Sequence, residues 1–443
     1  LITKLKYFKN NNLFRKMITN TSWLLFEKIL RLGVSFIITV WVARYLGPTM
    51  FGKLSYVQAV VGIVQAIAPL GLIGLVVREV VQSPEKKQEI LGTTFNIRLF
   101  SGLLSYITVC VVFYFFDKDR VELVYLIGLL IILQSFDTIK LYFESTIRSK
   151  YTVLATTIAF LISSVLKVVF ILLELPLIAF AWSIAIELTL ASGLLIIFLS
   201  REVHITSFLS FNWNRAKNLL AMSWPLILSS MASIIYIKVD QIMLQHFIGD
   251  NAVGQYSMAA KLSEVWYFVP TAIVASFFPS MINLKRNDNK LYLTRLQNVL
   301  DLLFSMAMGL AILVSIFSGF VTNQILGPSY NEAGLILSIH IWTGIFVFMR
   351  ALLSKWLINE GLLKFSLISH LSGAIINVAL NFVIIPIYGG VGAAVATISS
   401  YAVSTYIVCY FSKKTKLMGD LMSKTFLLPI RLLLKIFKKR DDR

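Results

Sequence analysis

The sequence predicts an all-α integral membrane protein with twelve transmembrane helices. Three observations predict it: an apolar composition, twelve apolar runs of membrane-spanning length, and lysines and arginines concentrated in alternate links between them. Hydrophobic residues make up 57% of the 443 residues and charged residues only 14%, with a mean hydropathy of +0.79. A soluble domain carries roughly a quarter charged residues, so this chain lacks the polar surface to sit in water. No stretch is polar enough for a separate soluble domain. The net charge of +19 invites a nucleic-acid reading, which the placement of the charges removes.

A hydrocarbon core of ~30 Å takes about 20 apolar residues per helix. Runs of that kind lie at 22–42, 54–76, 91–116, 121–141, 152–173, 177–199, 219–245, 254–279, 297–321, 335–358, 366–387 and 390–411. The shortest links, Glu174-Leu175-Pro176 and Tyr388-Gly389-Gly390, are turns between antiparallel neighbours. The first 22 residues are polar and basic (Lys4, Lys6, Lys9, Arg15, Lys16) and have no short apolar core before a small-residue cleavage site. That argues against a cleaved signal peptide and leaves the first span as the insertion signal. Cys110 and Cys409 both lie in apolar runs and make no disulfide or metal pattern.

The links on the side of the two termini hold twenty-nine lysines and arginines. The opposite links hold four, Arg44, Lys53, Lys118 and Arg120. Positively charged loops stay in the cytoplasm, so both termini are predicted to be cytoplasmic. The positive excess therefore encodes orientation, and nucleic acid drops out as a partner; membrane lipids remain. Beyond Ser412 the tail is basic with an apolar stripe of Phe426, Leu427, Ile430, Leu434 and Phe437. It reads as a helix lying on the anionic inner leaflet, with a partner-docking helix as the alternative.

The two halves echo each other. Ser22-Trp23-Leu24-Leu25 opens the first span and Ser223-Trp224-Pro225-Leu226 the seventh. In the links that follow, Gly47, Gly52 and Ser55 match Gly249, Gly254 and Ser257 at one constant offset. Units of six spans keep one orientation, so the repeat predicts two parallel six-helix lobes, a transporter architecture. The expected organisation is an N-terminal tail (1–21), a first lobe (22–199), a cytoplasmic linker (200–218), a second lobe (219–411) and a basic amphipathic tail (412–443).

The run Ala43-Arg44-Tyr45-Leu46-Gly47-Pro48, with Phe51-Gly52 and Leu54-Ser55-Tyr56, resembles the signature of polysaccharide repeat-unit flippases of the Wzx type. So does Lys238-Val239-Asp240-Gln241-Ile242-Met243-Leu244 with Gly249, Gly254 and Tyr256. The resemblance implies the fold shared with MATE multidrug exporters and MurJ lipid II flippases, two six-helix lobes around a central cavity. It also implies a substrate, an oligosaccharide on undecaprenyl pyrophosphate, carried from the inner to the outer leaflet of a bacterial cytoplasmic (inner) membrane for O-antigen or another surface polysaccharide. A polysaccharide polymerase complex is an implied partner.

Ionisable residues inside a bilayer are rare and expensive, so each is a functional candidate. The cations within or at the edges of spans are Lys28, Arg31, Arg98, Lys140, Lys167, Lys238, Lys261 and Arg350. At 1.5 Å per residue, Arg31, Arg98 and Arg350 fall in the inner half of the bilayer and Lys167, Lys238 and Lys261 in the outer third. Lys140 is interfacial and can snorkel. A pyrophosphate headgroup needs cations where it rests, and arginine offers it bidentate contacts. Arg31, Arg98, Arg350, Lys28, Lys167, Lys238 and Lys261 are therefore the candidate substrate-binding cations. Glu27, Glu187, Asp240 and Glu264 are the candidate carriers of a coupling proton or sodium ion. Local ion pairs are the competing reading: Glu27 with Arg31 and Lys261 with Glu264 stand at helical spacing, and Asp240 could meet Lys238 or Lys261. His340 and His370 read as satisfied core histidines, and Pro69, Pro225, Pro270 and Pro279 as helix bends.

No phosphate-cradling glycine loop, HExxH, paired cysteines or nucleophile elbow occurs, so neither a catalytic centre nor a cofactor is expected. A lipid-linked oligosaccharide flippase working by alternating access is the expected function. The rivals are a cation-coupled multidrug antiporter, which predicts a carboxylate-rich cavity, and a membrane polysaccharide polymerase or ligase, which predicts a large outer loop.

Overall fold

A computed structural model describes residues 12–203 and 210–431. Lys4, Lys6, Lys9, Leu434 and Phe437, and part of the 200–218 linker, lie outside them. All regular secondary structure among the described residues is helical. In chain order the helices are α1 (Asn12–Ile67), α2 (Ile73–Gln82), α3 (Lys87–Phe116), α4 (Val121–Leu133), α5 (Asp137–Ser145), α6 (Ser149–Leu172), α7 (Leu177–Ser200) and α8 (Trp213–Phe247). Then come α9 (Asp250–Glu264), α10 (Phe268–Asn287), α11 (Asn289–Leu326), α12 (Ala333–His340), α13 (Thr343–Asn359), α14 (Leu363–Thr405) and α15 (Lys416–Phe426).

Among the described residues, nine helical segments are long and apolar enough to cross a membrane. Two of them, Thr19–Ile67 and Leu363–Phe411, run for 49 residues, about 74 Å at helical rise and more than twice the hydrocarbon thickness. Each is broken at a glycine with positive φ, Gly47 (φ 68°) in α1 and Gly389 (φ 53°) in α14. Both glycines fall in links the sequence predicts. The turn between α6 and α7 is also where it is expected, with Glu174 at φ 53°.

The expected second span, 54–76, is not continuous. It stops at Ile67 and resumes as α2 after a turn containing Leu70 (φ 54°) and Gly71 (φ 62°). Pro69 disfavours helical conformation at the residue before it and cannot donate to the helix ladder, which ends α1 there. Large apolar side chains such as Phe100, Phe116, Leu172 and Phe320 are largely exposed, as lipid-facing residues are.

Contacts divide the chain into two compact units. The first takes residues up to Leu46 and Lys53–Met231; the second takes Gly47–Gly52 and Ala232 onward. The first unit's core is built from α2, α3, α5 and α7, around Leu72, Ile90, Phe143 and Leu195. Arg215, at the start of α8, is tied into this unit by ion pairs to Glu79 (3.1 Å) and Glu89 (3.0 Å). The second unit's core gathers Leu300, Phe348, Leu353, Met418 and Met422.

Within the second unit the two repeated links touch each other. A Cβ added to Gly52 would run into the carbonyl of Asp250, and one added to Gly254 into the carbonyl of Pro48. The Asn251 amide lies 3.4 Å from the Thr49 hydroxyl, a pair separated by 202 residues. Gly52 and Gly254, and Pro48 and Asp250, are separated by the same 202 positions. The contact therefore has the reciprocal pattern of a two-fold interface.

The tail is not simply laid on a leaflet. α15 buries Met418, Leu421 and Met422 in the second unit, and Phe426 stacks edge-on against Phe304 and Tyr406. Thr425 donates to Asp301 at 2.9 Å, and Arg431 pairs with the same carboxylate at 2.8 Å. Leu427 and Ile430 remain exposed. The stripe expected to face lipid is thus split, its first residue taken by the protein because α11 offers both an apolar groove and an acidic anchor.

Candidate functional site

In the first unit three helices bring four charges together. Glu27 and Arg31 lie one turn apart on α1, where residues four apart share a face, and their side chains approach to 3.8 Å. From α7, Glu187 accepts from Arg31 Nη1 at 3.0 Å through Oε1, while its Oε2 lies 3.9 Å from Lys167 Nζ of α6. Thr156, also on α6, holds the first pair in place. Its hydroxyl donates to Glu27 at 2.5 Å, and its carbonyl accepts from Arg31 Nη2 at 3.1 Å. The guanidinium sits 4.6 Å above the Phe160 ring, a cation–π contact.

Arg31 and Lys167, expected at different depths, converge on one carboxylate; long flexible stems can carry charged heads well away from their Cα positions. Glu187 has no cation on its own helix and finds two on its neighbours. Lys28 is exposed; adjacent in sequence to Glu27, it points roughly 100° around the helix and is off the cluster's face.

The three candidate arginines differ in access. The Arg31 side chain is 38% exposed, whereas Arg98 and Arg350 are 2% and 7% exposed. Arg98 braces a helix junction: it donates to the Gln134 carbonyl at 2.8 Å and to the Thr138 hydroxyl at 3.2 Å, across the 3₁₀ turn Gln134–Phe136 that joins α4 to α5. Arg350 donates to the Ser404 carbonyl (2.6 Å), the Ser369 hydroxyl (2.8 Å) and His370 Nε2 (2.8 Å). Both guanidinium groups are therefore enclosed by neutral acceptors within their own units, and the expectation that they lie open to a ligand does not describe this state. Lys140 pairs with Asp137 at 2.7 Å.

In the second unit Asp240 is buried to 1% exposure. Its partners among the described residues are neutral: Tyr256 OH at 2.5 Å, Thr397 Oγ1 at 2.7 Å and Asn381 Nδ2 at 2.5 Å. Neutral side chains, rather than the expected Lys238 or Lys261, supply these hydrogen bonds to the carboxylate. Lys261 lies 4.9 Å over the Phe51 ring, and Lys238 and Lys261 act electrostatically on Glu264 instead. The break at Gly389 folds α14 back on itself, so that Asn381 before it and Thr397 after it flank the same carboxylate. Asn381 also donates to Asn377 Oδ1 at 3.1 Å, and its own Oδ1 is buried without a partner among the described residues. Asn377, Asn381 and Thr397 are missing from the residues predicted for the site. Two asparagines one helical turn apart inside an apolar span were the available signal. Among the described residues no group of three or more His, Cys, Asp or Glu side chains could hold a metal ion.

A model of the family described as polysaccharide biosynthesis protein matches residues 17–285, more than half of the chain. AglR of Haloferax volcanii, whose name describes a flippase, is 28% identical over 188 residues, 41% of this chain and 38% of AglR, so the chain spans well under half of that relative. A protein of Shigella dysenteriae named for O-antigen transport is 23% identical over 390 residues, 86% of this chain and 95% of that protein. Among solved structures, the lipid II flippase MurJ in an inward closed conformation superposes with a TM-score of 0.67 at 14% identity, covering 94% of this chain and 93% of MurJ. An inward-facing MATE family transporter gives 0.64 at 15% identity, covering 89% and 96%; at these identities the likeness is one of fold. The chain is a multi-pass integral membrane protein that belongs to the polysaccharide biosynthesis protein family.

Proposed function

We propose that this protein flips undecaprenyl-pyrophosphate-linked oligosaccharide repeat units across the cytoplasmic membrane by alternating access, for O-antigen or another surface polysaccharide. The observation that carries this reading is the half-open pairing of Arg31 and Lys167 about one carboxylate, two cations within reach of a diphosphate. The family and the flippase-named relatives support it. Twelve crossings in two parallel six-helix lobes follow if each 49-residue segment crosses twice and the helical stretch 250–287 adds one. Both termini would then be cytoplasmic.

Asp240 is the proposed carrier of the coupling ion. Glu27 and Glu187 are paired with cations and Glu264 has two nearby, whereas the hydrogen-bond partners of Asp240 among the described residues are neutral and its charged neighbour is a second carboxylate, Glu264. A buried carboxylate in that setting binds a proton or a monovalent cation to offset its charge. The oxygens of Thr397 and Asn377 and the orphaned Oδ1 of Asn381 suit a hard cation.

Complementation of a flippase-null strain that makes the matching repeat unit tests the reading. Surface polysaccharide should be restored by the wild-type chain and by Lys140→Ala, and lost with Arg31→Ala or Lys167→Ala at matched expression. No restoration by a normally inserted wild-type chain would overturn the proposed substrate. Full activity of the Arg31 and Lys167 variants would overturn the site.

A further inference from the structure

We propose that Glu187 is a built-in competitor for the substrate's anionic headgroup, occupying the cations until the headgroup arrives and returning to them to drive it off. This rests on the reading of Arg31 and Lys167 as headgroup ligands. The cluster as it stands holds two cations and two carboxylates, so an incoming diphosphate meets no net positive charge. It gains positive charge only by displacing a carboxylate.

The geometry says which one. Glu27 is fastened to its surroundings by the Thr156 hydroxyl at 2.5 Å and approaches Arg31 only to 3.8 Å. Glu187 occupies the position a phosphate would take, one oxygen on Arg31 at 3.0 Å and the other toward Lys167 at 3.9 Å. It is 18% exposed and sits on a flexible stem from another helix. When it swings away, Arg31 keeps its bond to the Thr156 carbonyl and its seat on Phe160, so the guanidinium stays aimed while its fork opens.

Such an arrangement suits a transporter. A binding site on a transport path must hold its cargo firmly enough to load it and weakly enough to release it. Two unopposed cations would hold a diphosphate too long. A tethered carboxylate lowers the affinity without weakening the cations themselves, and its return completes release. Removing its charge should therefore tighten binding and slow transport together.

Equilibrium binding of radiolabelled undecaprenyl pyrophosphate to the purified full-length protein in detergent micelles, with undecaprenol as the control lacking phosphate, separates the cases. Glu187→Gln should bind about tenfold more tightly or better, Glu27→Gln should bind nearly as the wild type, and Arg31→Ala should lose binding in either background. In liposomes Glu187→Gln should turn over more slowly despite its affinity. If Arg31→Ala abolishes binding but Glu187→Gln binds no better than wild type, Glu187 merely positions the cations and the inference fails while the headgroup site stands. If Arg31→Ala binds as wild type, the headgroup site itself is wrong. Should Glu187→Gln not fold, Glu187→Asp, one methylene short of both cations, must bind more tightly for the same reason.

Discussion

Arg350 donates to Nε2 of His370 at 2.8 Å. A guanidinium has no lone pair to offer, so that nitrogen must be the unprotonated one. The other, Nδ1, carries the proton and gives it to the Ser233 hydroxyl at 3.0 Å. The tautomer of a buried histidine is thus settled by its neighbour, and a histidine that reads from sequence as core filler turns out to hold a buried cation whose hydrogen-bond partners among the described residues include no carboxylate.

Removing that acceptor should be felt. His370→Phe is expected to lower the stability of the second unit by about 1–3 kcal/mol, the range for a buried polar group left without a partner. His370→Asn, whose amide oxygen can accept from Arg350, should recover part of it. Thermal unfolding in detergent measures both. Arg350→Met keeps much of the volume but leaves the Ser404 carbonyl, the Ser369 hydroxyl and His370 Nε2 without their donor, so a loss of about 1–3 kcal/mol is expected for it as well.

At Asp240 the expected outcome is a split between stability and transport. Asp240→Asn keeps the shape, and the Asn381 amide can turn its orphaned oxygen toward the new NH₂ group, so stability should change by less than about 1 kcal/mol. Transport in proteoliposomes should nevertheless lose its dependence on the driving ion, and with it net accumulation. A variant as ion-dependent as the wild type would remove Asp240 from the coupling role.

The crossing glycines separate two kinds of glycine requirement. Gly52→Ala and Gly254→Ala each force a methyl into a backbone carbonyl and should destabilise by about 1–3 kcal/mol, as overpacking does. Gly47→Ala meets open space and is strained only by its positive φ of 68°, so about 1–2 kcal/mol is expected from conformation alone. Combining Gly52→Ala with Gly254→Ala should cost less than the sum, because a backbone shift that relieves one collision helps the other.

Asp301 anchors the tail through Gln297, Thr425 and Arg431. Asp301→Ala should loosen α15 before it affects anything else. Cleavage after Lys416 or Lys424 by trypsin, measured as a rate, is expected to rise roughly tenfold or more for a loss of about 1.5–3 kcal/mol.

Local features of this architecture were legible in the sequence and distant ones were not. The breaks at Gly47 and Gly389, the turn at Glu174 and the Glu27–Arg31 pair depend on residues within a turn of one another, and composition and spacing suffice for them. Glu187 meets Arg31 across 156 positions and Asp240 meets Asn381 across 141; no periodicity connects such partners. The errors follow the same division. Arg98 and Arg350 are recognisably out of place in apolar runs, but whether such a charge faces a ligand or is absorbed by carbonyls at a 3₁₀ turn depends on how neighbouring helices bend. Depth counted along a helix did not reveal that Lys167 and Arg31 meet at Glu187, because the side chain as well as the backbone sets where a charge ends up.

The reciprocal contact between the 47–52 and 249–254 links has an evolutionary reading. An interface in which each partner supplies both halves of the same contact is what two copies of one polypeptide make when they dimerise about a two-fold axis. A half-length ancestor with a glycine at this position would have closed such a homodimer unaided, and any substitution there would have struck both copies at once. In a single chain that carries both links, a substitution strikes one side only. Each glycine can be altered while its twin stays, so the two repeats are free to diverge, one collecting the Arg31–Lys167 cluster and the other the Asp240 centre.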